Sequence, residues 1–173
     1  AYLNHIHVLF EWEQIPETIG YDLQFSQDLE FSYGVTQIFT EDLVHIEKDM
    51  IEWENTYYWR VRANSYEGEG PGEWLDTLSF TTGVPLSDPT VSSIDEELYA
   101  NGLTVFGAFF NYFSAAIDKS GREIWNSGDN SFVYYSMGKN GNILGCELAP
   151  GTQNNLPGSE RTFDGEIIWS EPN

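Results

Sequence analysis

Tyr57-Tyr58-Trp59-Arg60-Val61-Arg62-Ala63 alternates strictly between two sets of side chains. Tyr57, Trp59, Val61 and Ala63 fall on one side of an extended backbone, and Tyr58, Arg60 and Arg62 on the other. A half-buried antiparallel strand has this pattern, and the segment carries two of the seven basic residues on its outer face. Outward from it, the same period recurs in His7 to Trp12, Tyr21 to Ser26 and Leu75 to Thr81, in runs bounded by Gly, Pro, Asn and Asp. Helical periodicity is almost absent, so the chain is expected to be all-β. Glu67-Gly68-Glu69-Gly70-Pro71-Gly72 reads as a turn between two strands. Val84-Pro85-Leu86-Ser87-Asp88-Pro89 reads as the start of a linker. The expected organisation is a first unit over 1–83, a linker over 84–97 and a second β-rich unit over 98–173.

Composition narrows the partners. Of 173 residues, 28 are acidic and 7 basic, a formal net charge of −21. Binding to a phosphate backbone needs clustered Lys and Arg, so nucleic acid is excluded as a partner, and an anionic membrane surface is disfavoured for the same reason. The 11 Phe, 10 Tyr and 6 Trp supply material for a real core, which argues against disorder. No apolar run approaches the ~18 residues of a membrane-spanning helix, so membrane insertion is not expected. Cys146 is the single cysteine, so no intrachain disulfide can form. The chain opens on Ala1-Tyr2-Leu3 and stops at Glu171-Pro172-Asn173, and both ends read as cut.

A repeat marks the second unit. Gly121-Arg122-Glu123-Ile124-Trp125 returns as Gly165-Glu166-Ile167-Ile168-Trp169, placing Trp125 and Trp169 44 residues apart. That period suits a propeller blade of ~40–50 residues. Between the copies, Phe132-Val133-Tyr134-Tyr135-Ser136 leads through Gly138-Lys139-Asn140-Gly141 to Asn142-Ile143-Leu144. Asn-Gly between two strand-like runs predicts a hairpin, because both residues tolerate positive φ.

Residues 5–83 resemble a fibronectin type III domain of the bacterial sort. Phe10-Glu11-Trp12 carries an early core tryptophan, Tyr21 to Ser26 resembles the strand that follows, and Asn55 to Ala63 resembles the family's sixth strand. Tyr57 stands where immunoglobulin-like sandwiches keep a tyrosine at the strand entrance. Trp74 and Ser79-Phe80-Thr81-Thr82 resemble the final strand. The resemblance implies an immunoglobulin-like sandwich whose first strand is short or missing, since too few residues precede Trp12. Residues 98–173 resemble the opening of an aryl-sulfate sulfotransferase-like β-propeller. This rests on Gly102 to Gly107, Ser114 to Trp125, Gly141 to Gly145 and Asp164 to Trp169. In that family catalysis uses histidines and an arginine on later blades. This chain has no His after His45, so no catalytic residue carries over.

Individual residues suggest less. His5 and His7 share one face of a strand but need a third ligand, and His45 is the only other histidine, so polar surface roles fit better than a metal. Asp95-Glu96-Glu97, Glu67 with Glu69, and Asp118 with Asp129 supply oxygens for calcium, yet none has the spacing of a calcium loop. No cofactor is expected. Phe109-Phe110-Asn111-Tyr112-Phe113 and Tyr134-Tyr135 could stack on sugars or aryl groups, although alternating aromatics more often face a core. Cys146 reads as a small buried residue, and Arg122 and Arg161 as partners for surplus acids.

The function expected from these readings is an extracellular β-rich structural or assembly module, a filament or surface-layer subunit that uses strand addition. Its location is the bacterial surface, the exterior or the periplasm. The alternatives are the amino-terminal part of a secreted sulfotransferase-like enzyme, with its chemistry beyond Asn173, and a carbohydrate-binding module. Ile167, Ile168 and Trp169 are the expected interface, pairing with another copy or a protein partner. The chain alone is expected to transfer no sulfuryl group from an aryl sulfate donor. It lacks basic and histidine groups to stabilise a transferring anion, and its charge repels the donor. Turnover above a buffer blank would overturn this expectation.

Overall fold

Short alternating runs with turn formers between them become strands, and the computed structural model is all-β. It describes residues 1–65, 70–92, 94–95, 97–98, 102–108, 111–152 and 154–172. No helix occurs among them. The expected turn at Glu67-Gly68-Glu69 lies outside the described residues, as do Glu96, Phe109 and Phe110. The chain divides into two compact units, Ala1–Gly83 and Val84–Asn173.

The first unit holds β1 (Tyr2–Leu3), β2 (Val8–Glu11), β3 (Thr18–Ser26), β4 (Thr36–Thr40), β5 (Val44–Glu47), β6 (Thr56–Ser65) and β7 (Leu78–Thr82). Five of them form one sheet in the order β1-β7-β6-β3-β4, and β2 pairs with β5 in a second sheet. All neighbours are antiparallel except β1 with β7. Phe10 of β2 joins the sheets. Its ring stacks on Phe25 at 5.5 Å and meets Trp59 and Phe80 edge-on at 5.3 and 6.0 Å. Trp12 packs on Tyr21 with ring centroids 5.6 Å apart. Tyr57 and Val61 are buried as their alternation requires, whereas Trp59 is only half-buried. At the entrance to β6, the Tyr57 hydroxyl accepts a hydrogen bond from the Glu52 N–H at 3.0 Å, which closes the loop leading into the strand.

On the other face of β6, the guanidinium of Arg60 lies over Phe31 (4.0 Å) and Trp74 (4.5 Å), and that of Arg62 over Trp74 (4.3 Å). Arg62 also pairs with Asp22 at 2.8 Å, and Arg60 donates to Gln24 Oε1 at 2.8 Å. The two bases are held flat along the sheet as a cation–π ladder. Burial, and then the charge of Arg62, bring the Arg60 guanidinium below its usual range.

The second unit holds β8 (Thr104–Ala108), β9 (Phe113–Ile117) and β10 (Glu123–Asn126), ordered β10-β9-β8. It also holds the meander β11 (Phe132–Met137), β12 (Ile143–Leu148), β13 (Asn155–Arg161) and β14 (Ile167–Ser170), ordered β11-β12-β13-β14. Ser114, fully buried on β9, ties the two sheets together. Its hydroxyl donates to the Phe132 carbonyl and accepts from the Tyr134 N–H, both at 2.8 Å. Around that junction Ala116, Trp125, Phe132 and Ile143 form the core, with Val105, Tyr134 and Phe163 packed against it.

Trp12 is 8% exposed and fills the space beside Tyr21. Emptying a large aromatic site costs about 3–5 kcal/mol, and Trp12→Ala is expected to lose that much in a denaturant titration of the first unit. A loss below ~1 kcal/mol would mean that Trp12 is not a core residue.

Candidate docking edge

Three turns of the second unit share one design. Asp118 N–H donates to Arg122 O (3.0 Å) and Gly121 N–H to Asp118 O (3.1 Å). Gly138 and Asn142, with Gly141, repeat this at 2.8 and 3.1 Å, and Thr162 and Glu166, with Gly165, at 3.0 and 3.1 Å. The glycines sit at φ of +88°, +83° and +84°, the left-handed region that a Cβ disfavours. Each turn closes a hairpin by the common route of a turn ending in a left-handed residue. Asn140-Gly141 thus lies in the turn between β11 and β12, and the other two turns are the copies of the repeat.

The repeat extends to the pairing itself. In β9–β10, Ile117 faces Glu123, Ala116 faces Trp125 and Ala115 faces Asn126, with a bulge between Glu123 and Trp125. In β13–β14, Arg161 faces Ile167, Glu160 faces Trp169 and Ser159 faces Ser170, with the bulge in the same place. Every pair recurs 44 residues on, as from Trp125 to Trp169. The two hairpins are one structural unit used twice.

Their surroundings differ. Glu123, Ile124 and Trp125 are 4%, 2% and 5% exposed, whereas Ile167, Ile168 and Trp169 are 55%, 51% and 51% exposed. Trp125 is packed in the core against Phe132 and Phe163, and residues 84–91 cover the hairpin at Glu123, Asn126 and Gly121. The buried Glu123 carboxylate accepts from the N–H groups of Leu86 (2.9 Å) and Ser87 (2.7 Å) and from the Ser87 hydroxyl. Asn126 donates one amide N–H to Glu123 Oε1 (2.6 Å) and another to the Val84 carbonyl (2.9 Å). A Cβ on Gly121 would meet the Pro89 carbonyl at 2.9 Å, while at Gly165 nothing lies within 4 Å. Residues 84–91, read from the sequence as linker, thus lie against the β10 hairpin. Nothing among the described residues covers β14 in the same way. The expected interface residues Ile167, Ile168 and Trp169 form an exposed edge strand, hydrogen-bonded to β13 along one side only. β14 is the fourth and last strand of the meander.

The other residues singled out in the sequence fall elsewhere. His45 Nε2 lies 3.4 Å from Glu47 Oε2, and its ring stacks at 6.4 Å on Phe10. Burial raises the Glu47 carboxyl, but hydrogen bonds from Asp49 and Met50 N–H and from His45 prevail and hold it below the ordinary value. Asp118 accepts from Ser120 and from the Arg122 N–H inside its turn. Burial opposes those bonds and the Arg122 charge, yet its carboxyl ends below the ordinary range. Asp129 lines a cleft with Tyr112, Phe113 and Leu86. No group of three His, Cys, Asp or Glu among the described residues is placed to hold a metal ion. Tyr135 is exposed, and its hydroxyl lies 3.0 Å from the sulfur of buried Cys146, a contact that with burial pushes the phenol up. Arg161 pairs with Glu147 at 2.7 Å and lies over Phe132. Sequence reading missed the Glu123 clamp. The available signal was Pro85 and Pro89, which suit a segment lying beside a sheet without joining its ladder.

No family model matches the chain, and no curated protein matches it. The clamp itself is open to test. Glu123→Ala strands three donors of residues 86 and 87 and is expected to cost about 1–3 kcal/mol. Hydrogen exchange at the Leu86 and Ser87 amides should accelerate. Unchanged exchange at both amides would show that the segment is held by other means.

Proposed function

We propose that this chain is an extracellular β-rich structural or assembly module that joins other copies of itself, or a protein partner, by strand addition at Ile167–Ser170. One observation carries the reading. The same hairpin occurs twice, and one copy is buried, packed in the core and clamped to residues 84–91, while the other leaves two isoleucines and a tryptophan half-exposed on an open edge. An unpaired edge of apolar residues is a template for another strand. The surrounding charge of −21 favours solubility and disfavours indiscriminate association. In the first unit, the sheet order and the Tyr57 hydroxyl bond to the loop before β6 support a fibronectin type III-like reading.

The 44-residue repeat of a hairpin, and the four-stranded meander that contains its second copy, favour a second reading. In it the chain is the amino-terminal part of a secreted sulfotransferase-like propeller, and the next blade covers β14. The intact mass of the natural protein separates the two. A mass near 19.7 kDa sinks the enzyme reading, and a mass several-fold larger favours it.

Strand addition predicts concentration-dependent association, measured by sedimentation. Ile167→Lys with Trp169→Lys should abolish it. Both side chains are exposed, so folding should survive. Both changes reduce the net negative charge, so loss of association would not come from added repulsion. If the intact chain stays monomeric at high concentration without a partner, self-association is refuted. Assembly that persists in the double variant would refute the edge as its site.

A further inference from the structure

The first unit carries a second open edge, beside a cleft. β2 pairs only with β5, so one of its edges has no strand partner among the described residues. Trp12 N–H donates to Leu43 O at 3.2 Å. Along an antiparallel pair, hydrogen-bonded positions alternate. Phe10 and Val8 therefore also face β5, and Leu9 and Glu11 direct their N–H and C=O groups toward the open edge. At the end of β2 lies a cleft of about 560 Å³ whose walls include Trp12, Trp59, Val61, Leu75 and Leu78. Leu75 and Leu78 are half-exposed in it, large apolar side chains with no cover. Trp12 is nine-tenths buried, yet its indole N–H has no acceptor among the described residues. Leaving a buried donor unpaired is costly, so such a group marks a place where an acceptor is missing.

The charge around the cleft selects the occupant. Glu11 and Asp76 line it, and no Lys or Arg does. Trp74 also lines it, and Arg60 and Arg62, which alternate with Trp59 and Val61 on β6, are held by stacking on that ring. A second copy of this chain would bring its own surplus of acids, and its exposed edge β14 is flanked by Glu166 and Glu171. We propose that the cleft receives an extended segment of a partner protein in which apolar and basic residues alternate. Its backbone adds to the open edge of β2. Its apolar side chains cover Leu75 and Leu78, its basic side chains reach Glu11 and Asp76, and one of its carbonyls accepts the Trp12 indole N–H. This site belongs to the first unit alone and does not depend on the role of β14.

A nitrogen-15-labelled sample of the full chain, titrated with a short peptide alternating valine and lysine, tests it. The peptide is expected to shift the Trp12 indole resonance and to bind more weakly as salt rises. Peptides alternating valine with glutamate, or serine with lysine, should do neither. Leu75→Ser with Leu78→Ser preserves the charge and should weaken binding by about tenfold or more. Ile167→Lys with Trp169→Lys should leave the Trp12 shift and the affinity unchanged, whatever that variant does to self-association. Equal binding of the serine–lysine peptide would overturn the proposal, as would an unmoved Trp12 indole or an unaffected leucine double variant. Self-association abolished by the leucine changes would make a second copy the occupant and overturn it as well.

Discussion

Every strand edge in this chain must place its N–H and C=O groups somewhere, and most of the architecture is a set of answers to that constraint. The first unit answers with a five-stranded sheet whose edge at β7 is extended by β1. The second answers at β10 with a side-chain clamp. Glu123 and Asn126 reach across to residues 84–87 and hold them against the strand without a backbone ladder. Several edges have no such answer among the described residues, including β14 in the second unit and β2 in the first. Both coincide with exposed apolar side chains, Ile167, Ile168 and Trp169 in one case and Leu75 and Leu78 in the other.

The clamp shows how one motif can serve two ends. The repeated hairpins share their turn bonds, their glycine conformation and their bulge. One difference between them is a carboxylate. At the first strand residue the first copy has Glu123, which gathers the donors of the crossing segment, and the second copy has Ile167, which gathers none. Burying a carboxylate is costly unless hydrogen bonds satisfy it, and here residues 86, 87 and 126 do so. Exposing an isoleucine is inexpensive only until another surface arrives to cover it. The first copy is therefore closed from within the chain, and the second has no such cover among the described residues.

Charge sets the terms on which either edge can be used. With 28 acids against 7 bases, the surface repels anions and other copies at long range. Three of the seven bases are held in place, Arg60 and Arg62 in a ladder with Phe31 and Trp74, and Arg161 against Glu147 and Phe132. Contact with a like-charged copy, as proposed at β14, would rest on short-range apolar and backbone terms. A cleft rimmed by Glu11 and Asp76 gains from a basic partner.

Local pattern determined much by itself. The alternation of Tyr57 to Ala63 is a strand because period-two burial suits no other backbone, and Asn140-Gly141 marks a turn because Gly141 takes the positive φ that closes it. The spacing of Trp125 and Trp169 located two like hairpins, since a turn motif and its flanking strand are local in sequence. Pairing across distance was not legible in this way. Residues 84–91 contain two prolines and read as linker, and only the position of Glu123 many residues later shows that they cover a strand. Trp59 shares the apolar face of β6 with Tyr57 and Val61, yet it is half-buried because it borders the cleft beside β2. The exposure of Ile167, Ile168 and Trp169 was decided the same way. Ile168 and Trp169 repeat Ile124 and Trp125 of the buried copy, and only tertiary structure determines which of two matching strands receives a cover, because burial depends on what the rest of the chain can reach.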